Sequence, residues 1–280
     1  MHQITVNSKS FDIKHICECG QVFRFKELEN GDFVLFETDE MIKVKKTGKN
    51  SHIIETRNAQ KHTFYFDLQT DYDKIKCRLK TDGGFLVRAI ASGEGIRILK
   101  QDLAETIVSF IISANNNIPR IKNTIEKLCS AFGTKREGID GESYFTFPTL
   151  DNLARATEKD FKKFGAGYRA PYLVETIRVL FETDFLKEVS ALSTNEARKK
   201  LITLPGVGPK VADCVLLFGL EKTDVMPCDT WIKKVYKENF DGTSDDIIEI
   251  RDYFLDKFKD LAGYAQQYMF YYKRSFESKT

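Results

Sequence analysis

No hydrophobic run in the sequence approaches the roughly 18 residues of a membrane span. The opening stretch, MHQITVNSKSFDIKH, lacks the apolar core of a secretion signal. The chain is therefore expected inside the cell and off the membrane. Histidine is scarce: His2, His15, His52 and His62 are all there are. Everything after residue 62 must do without an imidazole base or ligand. The six cysteines (Cys17, Cys19, Cys77, Cys129, Cys214, Cys228) include no CxxC pair with a partner pair at zinc spacing. This argues against a structural metal and a disulfide framework, and the expectation is no metal and no cofactor. Neither sign of charge dominates, since 43 Lys and Arg face 41 Asp and Glu. A protein that coats nucleic acid by being basic throughout is excluded. An enzyme with local basic patches is not, because net charge does not say where charges lie.

What is present is an ordinary globular composition, 42% hydrophobic over 280 residues, near the length at which one core divides. Residues 1–68 hold no proline and read as β structure: QVFRFKE (21–27), FVLFET (33–38), MIKVKK and HIIETR, with ENGD as a turn between the first two. A helix is predicted over 71–81, and the GGFL and SGEGI stretches at 83–96 read as loops. From about residue 100 the pattern is helical, with Asp102 and Glu105 as a capping box at the start. The expected fold is α+β, an N-terminal antiparallel sheet domain with flanking helices (1–99) followed by a two-part all-helical region (100–280).

The strongest local signal is LITLPGVGPKVADCVLLFGL (201–220). A helix ends at Leu204, Pro205-Gly206-Val207-Gly208 make a tight turn, and a second helix opens near Pro209, where a missing N–H costs nothing. Such a turn leaves N–H groups of Gly206, Val207 and Gly208 at a helix start, suited to a phosphate. The segment, about 195–221, matches a helix-hairpin-helix DNA-binding motif. A bare GxG would mark only a helical corner; the whole LPGVGxxxA string says more. Lys210 stands in the first turn of an otherwise apolar helix. A positive helix end beside apolar walls should lower its pKa and free a nucleophilic amine. Asp229 caps the next helix, and across a cleft from Lys210 it would take the lysine's proton and stabilise developing positive charge.

Further strings appear in a consistent order: GQVFRF (20–25), SANNNIPR (113–120), GAGYR (165–169), the hairpin with Lys210, Asp229, and GYAQQYMF (263–270). Together they resemble the 8-oxoguanine DNA glycosylase/AP lyases of the helix-hairpin-helix glycosylase superfamily, over nearly the whole chain. Membership would imply a bifunctional enzyme that flips the damaged nucleotide from the stack. Lys210 would attack C1′ and β-elimination through a Schiff base would nick the strand. Cys214 and Phe270 would sandwich the base, Gln266 would bond its Watson–Crick edge, and the Gly20 carbonyl would accept from N7–H, completing a pocket closed by the C-terminal helix. Asn115 would fill the gap, Tyr168 would wedge the stack, and Arg120 and Arg169 would contact the orphaned cytosine. The partner implied is duplex DNA with 8-oxoguanine opposite cytosine, bound by a monomer.

Two departures from the family pattern stand out. Trp231 occupies the position two after the catalytic Asp, where eukaryotic relatives often carry a phosphate-supporting histidine. The C-terminal cysteines of an iron–sulfur loop are absent, against the endonuclease III-like and adenine-glycosylase branches. Two other readings compete. A monofunctional alkylation-type glycosylase typically lacks the hairpin lysine, and a non-catalytic DNA-binding module would need neither Lys210 nor its pairing with Asp229.

Overall fold

The computed structural model describes residues 1–139 and 141–277. Strands β1 (His2–Asn7), β2 (Phe25–Glu27), β3 (Phe33–Glu37), β4 (Glu40–Gly48) and β5 (Ser51–Thr56) form one antiparallel sheet in the order β1-β5-β4-β3-β2. The Asn30-Gly31 turn joins β2 to β3 as its sequence predicts. Alternating burial along β5 puts His52, Ile54 and Thr56 inward.

The stretch predicted as a strand from residue 21 pairs only from Phe25. Its first half is held by side chains. Gln21 Nε2 donates to the Arg97 carbonyl at 2.7 Å while its Oε1 accepts from Leu99 N. Arg24 Nη2 donates to the Phe145 carbonyl at 2.8 Å. These bonds carry the chain out of the sheet and leave Gly20 in a loop.

The first 68 residues also contain two short helices, α1 (Ile13–Glu18) and α2 (Ala59–Tyr65), capped by Asp12 and Asn58. Helix α3 (Tyr72–Lys80) lies where expected. Residues read as loop form a further helix, α4 (Gly84–Ser92), whose Phe85, Leu86, Ala89 and Ile90 are buried. Its glycines sit at the two ends, Gly83 as N-cap and Gly93 as C-cap, and interrupt nothing.

The second part contains α5 (Leu103–Ser113), α6 (Ile118–Phe132), α7 (Leu150–Leu153), α8 (Glu158–Phe164), α9 (Ala170–Glu182), α10 (Phe185–Ser190), α11 (Thr194–Ile202), α12 (Pro209–Gly219), α13 (Thr230–Asn239), α14 (Ile247–Phe258) and α15 (Ala262–Glu277). It also carries a small hairpin, β6 (Lys135–Glu137) with β7 (Ser143–Phe145). Asp102 caps α5 through Glu105 N at 2.8 Å, but Glu105 does not return the bond. Its carboxylate instead accepts from Arg24 Nη1 at 3.3 Å and Thr38 N at 3.1 Å, tying sheet to helix.

Three main cores result. One lies under the sheet and includes Leu35, Ile42, Ile54 and Phe66. A second surrounds α5 and α12, where the Phe110 and Phe218 rings stack at 5.4 Å. The third joins α3 and α4 to α13, α14 and α15, so helices early in the chain share a core with its end. Each large apolar side chain fully buried there contributes about 1.5–3 kcal/mol. The site described next lies where α12, α13 and α15 meet.

Candidate active site

The hairpin starts from a well-anchored helix. Ser193 and Glu196 form a capping box at the start of α11, and Arg198 Nε donates to Asp213 Oδ1 of α12 at 2.6 Å, pinning the two helices together. Between them, Gly206 has φ +81°, and a side chain there would put its Cβ 2.9 Å from Tyr172 Cβ. Pro209 occupies the first turn of α12, and Gly208 caps the helix without a side-chain bond. The first N–H groups of α12 therefore face outward from an exposed turn. At Val207 only the amide differs from the expectation. Its N–H donates to the Leu204 carbonyl at 3.1 Å and its side chain is buried, so it holds the turn and presents no free donor.

Lys210 projects from that first turn with its Nζ 5.3 Å from the centre of the Phe110 ring. Cys214 lies one turn along the same face. Asp229 caps α13, its Oδ1 accepting from Trp231 N and Ile232 N at 3.0 Å each. Burial disfavours the Lys210 ammonium, but the Cys214 sulfur and the Asp229 carboxylate outweigh it, and the pKa is raised. The expected lowering is thus reversed: Cys214 first, and then Asp229, outweigh burial. Burial also raises Asp229, against the α13 amides and Lys210, which lower it. The same cause pushes the Cys214 thiol up to about 11, so it is neutral at physiological pH.

A second group comes from α15. Gln266, Phe270 and Arg274 follow at intervals of four and share one face. Phe270 closes on Gly20, where an added Cβ would stand 2.8 Å from Phe270 Cε1. Gly20 also has φ +82°, so both conformation and space require glycine there. Gln266 is buried, with its Oε1 accepting from Gln267 Nε2 at 2.6 Å. Sequence reasoning passed over Arg274. Its guanidinium sits 5.0 Å above the Phe270 ring and bonds the Glu18 carbonyl, two residues before Gly20. It also feels the Asp229 charge. The repeat of four from Gln266 is the signal that points to it.

A third group gathers after α5. In the Asn115-Asn116-Asn117 run, Asn116 Nδ2 donates back to the Ile112 carbonyl at 3.0 Å and Asn117 caps α6 through Arg120 N. The last two residues of the run are thus consumed, while Asn115 is exposed at φ +49°. Tyr168 is 57% exposed beside it. Arg169 is only 4% exposed, and its nitrogens bond the carbonyls of Ala114, Asn115 and Ala166. Its bonds shape the Asn115 loop. Arg120 is exposed, with one bond from Nη2 to the Gly165 carbonyl at 3.3 Å. Trp231 is half-buried in the first turn of α13 under the Lys234 ammonium, 4.9 Å from its ring centre.

Among the described residues no cluster of three or more His, Cys, Asp or Glu is placed to hold a metal ion. None of the helices described is long and apolar enough to cross a membrane.

Residues 3–107 match the N-terminal domain family of 8-oxoguanine DNA glycosylase. Residues 108–258 match the HhH-GPD superfamily base excision DNA repair protein family. An N-glycosylase/DNA lyase of Saccharomyces cerevisiae is 42% identical over 161 residues, covering 53% of this chain and 43% of the relative. A probable N-glycosylase/DNA lyase of Methanothermobacter thermautotrophicus is 31% identical over 235 residues, covering 77% of this chain and 74% of that one. The chain thus spans less than half of the yeast relative and about three quarters of the archaeal one. Among solved structures, the 8-oxoguanine glycosylase/lyase of Clostridium acetobutylicum, in complex with dsDNA containing cytosine opposite 8-oxoG, superposes with a TM-score of 0.91. It is 40% identical, over 96% of this chain and 93% of that one.

Proposed function

This chain belongs to the HhH-GPD superfamily of base excision DNA repair proteins, and from that membership we propose that it excises 8-oxoguanine from duplex DNA and then nicks the abasic site. The observation that carries the reading is the placement of Lys210. It stands on the phosphate-binding hairpin, against Phe110, under the influence of an Asp229 carboxylate fixed by two amides.

The chemistry follows from that placement. Gly206 and Gly208 leave N–H groups facing a DNA phosphate, and the helix start favours the anion. The damaged nucleotide leaves the stack and enters between Cys214 and Phe270, with Gln266 on its Watson–Crick edge and the Gly20 carbonyl at N7–H. The Phe270 ring takes up the space that a side chain on Gly20 would need, so glycine there leaves room for the ring beside the base. Asn115 fills the vacated space, Tyr168 wedges the stack, and Arg120 reads the cytosine, joined by Arg169 once its carbonyl bonds are released.

Lys210 gives up its proton as Asp229 draws it away. The amine lone pair then forms a bond to C1′ while the C1′–N9 bond breaks and the electron pair leaves with the base, which takes the proton from Asp229 and restores its carboxylate. Asp229 stabilises the positive charge that develops on the sugar. Opening of the sugar ring at O4′ gives an iminium linked to Lys210. Loss of a C2′ proton expels the 3′ phosphate, and water releases the lysine. With no histidine in the helical part, the expelled base itself can carry the C2′ proton. A single chain suffices for every step.

The test is an end-labelled duplex with 8-oxoguanine opposite cytosine beside one with undamaged guanine. The protein should cut only the first, leaving the unsaturated 3′ end of β-elimination. Cleavage of neither, or of both equally, would refute the reading. A monofunctional glycosylase would instead leave an uncut abasic strand that breaks only on alkali treatment.

A further inference from the structure

Tyr172 lies in the first turn of α9, one turn after Tyr168, and is 41% exposed on the same side. The two rings meet edge to face, with centroids 6.5 Å apart and planes at 82°. The other side of Tyr172 lies on the hairpin: its Cβ and Cδ2 are 2.9 and 3.3 Å from where a side chain on Gly206 would begin. One turn further, Thr176 Oγ1 donates to the Pro205 carbonyl at 2.8 Å. A single face of α9 thus runs along the phosphate-binding turn and ends at Tyr168. Tyr168 in turn touches the gap-filling loop. Its ring carries the Arg169 guanidinium at 4.4 Å and its hydroxyl donates to the Ala114 carbonyl at 3.4 Å.

We propose that Tyr172 is a positioning residue for recognition of the base opposite the lesion, transmitting the seat of the hairpin on the phosphate to the Tyr168 wedge. The inference rests on the proposed excision reaction. Physically, Tyr168 has an exposed ring and one long hydroxyl bond, so little but Tyr172 and Arg169 fixes its direction. An edge-to-face pair holds the angle between two rings as well as their distance. When the hairpin closes on a phosphate, Gly206 and Tyr172 move together because no gap separates them. The wedge then arrives at a fixed distance from the held strand. Orientation sets whether the wedge and the Asn115 loop admit cytosine in preference to adenine.

The experiment compares kcat/KM for 8-oxoguanine opposite cytosine, adenine, guanine and thymine in the wild type, Tyr172→Ala, Tyr172→Leu and Tyr172→Phe. Leucine retains bulk over Gly206 but not the edge-to-face partner, so it serves if alanine does not fold. Tyr172→Ala and Tyr172→Leu should lower the cytosine-over-adenine ratio by about three- to tenfold. The loss should fall in KM for the cytosine duplex, and Tyr172→Phe should restore the ratio. An unchanged ratio in the alanine and leucine variants, or equal loss against all four partners, would overturn the role. Wild-type protein that excises equally opposite every base would overturn it as well. Wild-type protein that excises nothing would instead overturn the proposed function.

Discussion

An amine that attacks carbon must be neutral, whereas the surroundings of Lys210 favour its ammonium form in the free protein. Cys214 and the Asp229 charge together hold the proton in place there. Asp229→Asn removes that anion. The pKa of Lys210 should then fall, and the acid limb of the kcat/KM profile should move to lower pH. The plateau itself should drop by about 100-fold, because the stabilising charge is gone. A limb that moves to higher pH would show that Asp229 does not act on Lys210 as a charge. The places of Lys210 in the first turn of α12 and of Asp229 as the cap of α13 were legible in the sequence, but the balance between burial and charged neighbours depends on distances. Arg274 was hidden for a related reason, since a basic residue near a chain end usually marks a solvated face. Only its packing over Phe270 gives it a role. The bond made by the Val207 amide was not legible because sequence cannot say which way a turn N–H points.

Helix α6 was readable because its buried face repeats at helical spacing, and α12 because a continuous apolar run follows the Pro205–Pro209 turn. Short elements were not. Helix α4 went unseen since its bounding glycines look like breaks, and β6 with β7 spans only three residues per strand. The truncated start of β2 reflects long-range bonds from Gln21 and Arg24 that no local pattern carries. One of those partners has a measurable signature. Burial pushes the Glu105 carboxyl up to about 7, despite Arg24, which lowers it. A carboxyl raised in the folded state binds more protons there than when unfolded. Its contribution is fully favourable below the unfolded value of about 4.3 and is lost as pH rises through about 7. The Tm of the wild type relative to Glu105→Gln should therefore fall between pH 5 and 8, by about 2–4 °C. A constant or rising difference would contradict a buried, proton-retaining Glu105.

The whole molecule is nearly neutral, and its helical part more so: residues 1–98 hold 16 Lys and Arg against 14 Asp and Glu, leaving 27 of each beyond. Many of the cations are spent on pairs, as with Lys237 and Lys233 on Asp245 or Lys200 on Glu188. A grip made by backbone N–H groups needs few free cations, and Lys210, Arg120 and the hairpin supply a local arrangement that the net charge conceals. Helix α5 ends in the Asn115 loop, α12 carries Lys210, and α15 brings Phe270 back against Gly20 near the start of the chain. All these placements serve one claim, that the Lys210 amine becomes covalently joined to C1′. Borohydride reduction during reaction with an 8-oxoguanine duplex, followed by peptide mapping of the trapped complex, examines that bond itself. The deoxyribose remnant should map to Lys210, and Lys210→Gln should bind the duplex without forming the adduct. An adduct on another residue, or one that persists in Lys210→Gln, would remove Lys210 from the chemistry.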